Sequence, residues 1–242
     1  MQGIVLAGGF GRRLRSVVAD APKPMAAIGG RPFLDILLSY LATKGFSKVI
    51  LSIGYQSEVI RSYFEDRDGS VEIVFEEEST PRGTGGAIAA ALKHATGDSV
   101  FVFNGDTFLD LELSLLCRMW PEDRSPVVVV RAVPDTERFG RIRFEGNRIL
   151  RFVGAGEQGP GIVNAGCYLI PTDIFAKMRP PEVFSFETDF LAKCPERSLR
   201  LFETKGTFID IGVPSDYLKA QSELSTFVRS SSCFVKKRNS SK

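Results

Sequence analysis

Short apolar runs alternate along this chain with stretches whose apolar residues recur every three or four positions. Ile4-Val5-Leu6-Ala7 is a continuous apolar run of the kind a strand buried on both faces shows. Pro32 to Leu41 carries apolar residues at helical spacing and stops near Gly45. Lys48 to Ile53 reads as a buried strand, Gln56 to Glu65 as an amphipathic helix and Val71 to Phe75 as the next strand. Gly85 to His94 is Ala-rich and helical, ended by Gly97, and Ser99 to Phe103 is another apolar strand. This β-α-β alternation predicts an α/β fold: a doubly wound, mostly parallel mixed sheet with helices on both faces. In such sheets ligands bind beyond the carboxyl ends of the strands. The loop at Gly8 and the loop after Phe103 then share one crevice.

The second half changes character. Val127 to Val133 is β-branched and strand-like, and Gly140 to Phe144 and Arg148 to Phe152 flank Glu145-Gly146-Asn147, a hairpin signal. Ile162 to Ile170 is a strand with Asn164-Ala165-Gly166 embedded in it. Phe186 to Lys193 reads as a helix, Phe208 to Ile211 as a strand, and Pro214 to Leu224 as a helix with proline near its start. These strands are expected to extend the sheet and build an acceptor pocket. From Thr226 the chain turns polar and basic, so 1–225 reads as one domain and 226–242 as a flexible tail.

Composition narrows the function classes. The 242 residues suffice for one domain with a sizeable core, and 43% hydrophobic with 25% charged residues is ordinary for a globule. A net charge of +2 gives no reason to expect nucleic acid or an anionic membrane as partner. No apolar run approaches the roughly 20 residues that span a bilayer. Cys117, Cys167, Cys194 and Cys233 form no close pair, so zinc-ligand and redox spacings are missing. The first three sit in apolar contexts and read as buried thiols, and a cytoplasmic setting is expected. His94, the only histidine, falls near a helix end, where it is expected to cap carbonyls.

Candidate chemistry concentrates after the first strand. Gly8-Gly9-Phe10-Gly11 lets backbone N–H groups approach an oxyanion, and Arg13 and Lys23 follow as cations, which suits a nucleoside triphosphate. No Gly-Lys-Ser/Thr follows, so this is no P-loop; Leu14 stands where a dinucleotide fingerprint needs glycine. Asn104-Gly105-Asp106 follows an apolar strand directly and aims a hard carboxylate into the crevice, suited to Mg2+, although the same tripeptide fits a tight turn. Asp210, between Ile209 and Ile211, is costly unless paired, exposed or metal-bound. Pro81-Arg82-Gly83-Thr84-Gly85-Gly86 allows a flat base close to the backbone, and Thr84 equally reads as a helix cap.

Leu6-Ala7-Gly8-Gly9-Phe10-Gly11-Arg12-Arg13-Leu14 with Pro22-Lys23-Pro24-Met25 resembles the signature of the sugar-1-phosphate nucleotidyltransferases. The resemblance covers roughly residues 1–225, with its motifs in order, and implies a Rossmann-like nucleotidyltransferase domain. That family usually has Thr where this chain has Arg12. The resemblance makes Arg13 and Lys23 catalytic. It gives the nucleotide to Leu6, Ala7, Gly8, Gly9, Gly11, Arg82, Gly83 and Thr84, and Mg2+ to Asp106 and Asp210. It assigns the sugar phosphate to Asn104, Gly105, Gly140, Arg141, Asn164, Gly166 and Glu187. Many relatives carry Glu-Lys-Pro after the hairpin, with the lysine on the sugar phosphate; here the stretch is Phe152-Val153-Gly154-Ala155, so Arg141 or Arg151 is the candidate cation.

Leu14 to Val18, Pro22 to Ala26 and Gly83-Thr84-Gly85-Gly86 look most like the heptose 1-phosphate guanylyltransferases within that family. GTP and a heptose 1-phosphate are thereby implied, the product serving bacterial capsule or surface polysaccharide. Mannose 1-phosphate guanylyltransferases and N-acetylmuramate-phosphate uridylyltransferases are the enzyme alternatives. Two other classes are a silent sugar-nucleotide sensor and a glycosyltransferase, the latter disfavoured because Asp106-Thr107-Phe108 is no Asp-x-Asp motif. The sequence leaves oligomeric state open, with a homodimer among its options.

Overall fold

A computed structural model describes residues 1–14, 17–18, 21–120, 122–176, 178–229 and 232–236. Arg15, Ser16 and the 237–242 part of the expected tail lie outside the described residues. In chain order the strands are β1 (Gln2–Leu6), β2 (Ala27–Ile28), β3 (Arg31–Pro32), β4 (Lys48–Ile53), β5 (Arg67–Gly69), β6 (Glu72–Glu77), β7 (Ser99–Asn104) and β8 (Thr107–Leu109). They continue with β9 (Val127–Val133), β10 (Arg141–Glu145), β11 (Arg148–Val153), β12 (Gly161–Pro171), β13 (Arg200–Glu203), β14 (Phe208–Asp210) and β15 (Phe234–Lys236). The α-helices are α1 (Phe33–Thr43), α2 (Ser57–Glu65), α3 (Gly83–Ala91), α4 (Leu113–Arg118), α5 (Pro214–Glu223) and α6 (Ser225–Arg229).

Nine strands form the main sheet in the order β10-β11-β13-β9-β12-β7-β1-β4-β6. Its half from β7 to β6 is parallel throughout, as the β-α-β reading requires. Beyond β7 the direction reverses at β12, which runs antiparallel to both β7 and β9. Alternation within strands divides the core in two, because successive side chains leave opposite faces. Val5, Val49, Leu51, Phe101 and Phe103 face one side, with α1, Ile60 of α2 and Ala220 of α5. Ile4, Ile50, Val100 and Val102 face the other, with Ile88 and Ala91 of α3.

Three sequence expectations change here. The 186–193 segment is a π-type turn over Phe186–Phe190 followed by a 3-10 turn over Leu191–Lys193, rather than one regular helix. β14 does not extend the main sheet; it pairs with β8 as a separate two-stranded ribbon. The chain after 225 packs instead of fraying over its described residues. β15 pairs with β5, Phe234 is buried edge-on against Phe64, and Ser232 Oγ donates to Asp35 at 2.7 Å. Two smaller readings also shift. Cys117 is exposed, because α4 buries Leu113 and Leu116 and turns the thiol outward. His94 Nε2 lies 2.8 Å from Glu76 Oε2 instead of capping a helix, since its 3-10 turn carries the ring to β6.

Candidate active site

β1 and β7 are parallel neighbours, so their carboxyl ends reach the same edge and their loops meet there. The Gly105 N–H donates to the Leu6 carbonyl at 2.9 Å. A Cβ on Gly105 would stand 2.5 Å from that oxygen, so only glycine lets the two loops close. Above this junction lies a cavity of about 400 Å³, whose walls include Leu6, Gly8, Gly9, Gly11, Arg13 and Lys23. Gly83, Thr84, Glu78, Asn104 and Asp106 also line it. A second cavity of about 180 Å³ shares Arg13, Asn104 and Asp106 with the first and adds Asn164, Gly166 and Asp210. Asp106 therefore stands where the two cavities adjoin, with Asp210 on the wall of the second.

Asp106 and Asp210 meet because β8 and β14 pair antiparallel, with Thr107 opposite Asp210. Lys23 Nζ bonds Asp106 Oδ2 and lies 3.9 Å from Asp210 Oδ1. Its side chain is only 11% exposed, so the cation is fixed by packing as well as by charge. Asp210 Oδ1 accepts the Gly212 N–H at 2.7 Å, and its Oδ2 lies 3.3 Å from the Arg138 guanidinium. Burial pushes the Asp210 carboxyl above its ordinary value and the Asp106 charge adds to the rise, while Lys23 and Arg138 oppose it.

This donor set suits a hard divalent cation. Two carboxylates from distant parts of the chain converge, and their mutual repulsion is what a dication relieves. Among the described residues no group of three or more His, Cys, Asp or Glu could hold a metal. A cation held here would draw its remaining ligands from phosphate and water, which is how Mg2+ is commonly bound.

Other expected residues take places that the sequence did not give them. Ala7 is buried under the loop. Arg82 points to Glu76 at 3.5 Å, and its backbone N–H donates to Glu78 Oε2 at 3.1 Å. Thr84 does not cap α3: its hydroxyl donates to Glu187 Oε2 at 2.5 Å and accepts the Phe186 N–H at 2.8 Å. Glu187 thus stands behind Thr84. Gly140 and Arg141 are not brought to either cavity. The Arg141 guanidinium is held by Thr136 Oγ1 at 3.0 Å, the Gln158 carbonyl at 2.9 Å and Glu157 at 3.4 Å. Arg151 is exposed on β11.

Residues that sequence reasoning did not single out complete the picture. Arg138 bridges Asp210 and Asp216, the latter at 2.5 Å, and lies over the Phe139 ring at 4.3 Å. Glu78 puts a half-buried carboxylate into the first cavity, and burial raises its carboxyl against the pull of Arg82. Phe10, which lines the same cavity, pairs with Tyr55 at 5.3 Å between centroids. None lies in an element with readable periodicity; an acid close to the Gly83 turn was the one available signal, for Glu78.

The loop, the paired aspartates and the adjoining cavities define a nucleotide-dependent transferase. The chain belongs to the nucleotidyl transferase family, whose model matches residues 2–226. It is 38% identical over 230 residues to the D-glycero-alpha-D-manno-heptose 1-phosphate guanylyltransferase of Aneurinibacillus thermoaerophilus, covering 94% of this chain and 100% of that one. Identity to the Campylobacter jejuni protein of the same description is 37%, over 90% of this chain and 97% of that one. The crystal structure of HddC from Yersinia pseudotuberculosis superposes with a TM-score of 0.83 at 37% identity, covering 92% of this chain and 99% of that one. HddC has also been crystallised as a complex with GMP-PN, matched here with a TM-score of 0.82. Members of this family work with a divalent cation. No helix among the described residues is long and apolar enough to cross a membrane.

Proposed function

We propose that this protein transfers GMP from GTP to D-glycero-α-D-manno-heptose 1-phosphate, giving GDP-heptose and pyrophosphate. The observation that carries the transfer chemistry is the Asp106–Lys23–Asp210 cluster at the junction of two cavities. Likeness to the two heptose 1-phosphate guanylyltransferases supports the acceptor. Glu78 supports the base: guanine presents two N–H donors on one edge, and a carboxylate accepts both.

In this reading the acceptor phosphate oxygen bonds to the α-phosphorus while the bond from that phosphorus to the bridging oxygen breaks, and pyrophosphate carries away the electron pair. The acceptor phosphate is largely dianionic at neutral pH, its second pKa being about 6, so no general base is needed. Arg13 and the N–H groups of the Gly8-to-Gly11 loop bind the departing phosphates. Lys23 neutralises oxygens beside the reacting phosphorus. Asp106 and Asp210 would hold Mg2+, which when bound supplies further charge neutralisation on the phosphates. Alignment of two bound reactants alone is worth roughly 7–11 kcal/mol. The sensor alternative gains nothing from this arrangement, because Lys23, Asp106 and Asp210 stand assembled.

Pyrophosphate release with Mg2+, four nucleoside triphosphates and a panel of sugar 1-phosphates tests this reading. Wild-type protein is expected to work with GTP and the manno-heptose phosphate, and Glu78→Gln to lose preference for GTP over UTP. Turnover with another pair defeats the substrate assignment, and silence across the panel defeats the function.

Arg138, rather than Arg141, is the cation we assign to the acceptor phosphate. Losing a charge-assisted hydrogen bond of about 1.5–3 kcal/mol raises KM by roughly ten- to hundredfold. Arg138→Ala should therefore raise KM for the sugar 1-phosphate while KM for GTP stays within about twofold. An equal rise in both would remove Arg138 from this role.

A further inference from the structure

One chain of hydrogen bonds joins the two cavities from behind, and its centre is a buried tyrosine. β12 is not a continuous ladder: its register against β9 shifts between Asn164 and Cys167, and Gly166 within the bulge has φ +68°. Asn164 holds that bulge. Its Oδ1 accepts the Gly166 N–H at 3.0 Å, and its Nδ2 donates to the Tyr168 hydroxyl at 2.7 Å. Tyr168 is 1% exposed and packs edge-on against Phe186, 5.1 Å between centroids. A tyrosine hydroxyl has one proton, and with Asn164 donating to its oxygen that proton is committed to Glu187 Oε1, 3.1 Å away. Glu187 Oε2 in turn accepts from Thr84 at 2.5 Å and from Ser185 at 3.1 Å. Burial and the Glu187 charge hold the Tyr168 proton firmly in place. Thr84 lines the nucleotide-side cavity and Asn164 the acceptor-side cavity.

We infer that Tyr168 is a positioning residue that couples the two substrate cavities, fixing the Asn164 bulge directly and the Thr84 turn through Glu187. It touches neither cavity. The inference rests on the proposed function for the identity of the two ligands. Each bond has one allowed direction, so a shift of the Asn164 amide changes what Glu187 offers Thr84. Buried networks of this kind exceed the sum of their pairs.

The experiment is a double-variant cycle with Tyr168→Phe and Thr84→Val, read as the Kd of GTP by calorimetry and as KM for the sugar 1-phosphate. Tyr168→Phe leaves the Asn164 amide short of a partner, which predicts a rise of roughly tenfold in acceptor KM, with kcat within about threefold. Thr84→Val, on the nucleotide side, is expected to raise acceptor KM as well. The double variant is expected to be no worse than the worse single one in either quantity, because residues without direct contact become non-additive only through a shared network. Effects that multiply, or a Thr84→Val that changes GTP binding alone, overturn the relay. Should Tyr168→Phe fail to fold, Glu187→Gln breaks the same chain at its hub and carries the same expectation. GTP binding needs no turnover. A protein silent with every acceptor refutes the function while the cycle on Kd still judges the relay.

Discussion

Asp210→Asn is expected to lower kcat by about 10³-fold, the size of loss seen when one preorganised electrostatic group is removed from a transition state. The amide keeps the shape of the carboxylate and still accepts the Gly212 N–H, so the loop after β14 should stay in place. What disappears is one of two charges facing a dication. Asp106→Asn should give a loss of similar size, and the double variant should be little worse, because groups that act as a unit are non-additive. Pyrophosphate release measures the rate, and Mn2+ binding followed by electron paramagnetic resonance reads the cation separately. Both signals should fall together. Unchanged Mn2+ affinity in both variants would take the cation away from these aspartates.

Lys23→Met should lower turnover by about 10²–10³-fold and also destabilise the metal-free protein. Removing one member of a buried ion pair typically costs about 3–5 kcal/mol, since the partner charge is left uncompensated. The lower end applies here, because the Asp106 side chain is 33% exposed and partly solvated. The two carboxylates would then face each other without the ammonium between them, Arg138 still pairing with Asp210. A dication restores the missing charge, so Mg2+ should raise the melting temperature of Lys23→Met by more than it raises that of the wild type. Thermal melts with and without Mg2+ decide this. Equal Mg2+ increments would show that the cation binds elsewhere.

What the sequence disclosed followed the range of the interactions involved. Gln2 to Leu6, Lys48 to Ile53 and Ser99 to Asn104 are strands whose apolar composition declares them, and the glycines after Ala7 mark the loop they support. Within the site, Arg13, Lys23 and Asp106 were visible as residue types suited to phosphate and metal. Their meeting with Asp210 was not readable from periodicity, because it depends on two three-residue strands, β8 and β14, a hundred positions apart along the chain. Such pieces are too short to carry a pattern. Arg138 in a turn and Arg141 at the start of β10 differ by three positions, and the fully buried Thr136 decides between them by collecting the Arg141 guanidinium. The polar stretch after 225 hid its anchors for another reason. Phe234 is buried only because Phe64 and Gly69 leave room for it, a fact stored elsewhere in the chain.

Those anchors bear on how the protein is made. The Arg31 guanidinium donates to the Val228 carbonyl, and Ser232 donates to Asp35, both across 197 positions of chain. Tyr217 and Gln221 hold the Ala27 carbonyl, next to the turn that carries Lys23. A ribosome adding about 5–20 residues per second thus exposes the Lys23 turn and the Arg31 segment beside it roughly 10–40 s before the segments that brace them. For that interval the nascent chain holds the glycine loop and the Lys23 turn without these later segments. Competence arrives late and all at once in synthesis, and a stalled or prematurely ended chain would carry the signature without the chemistry.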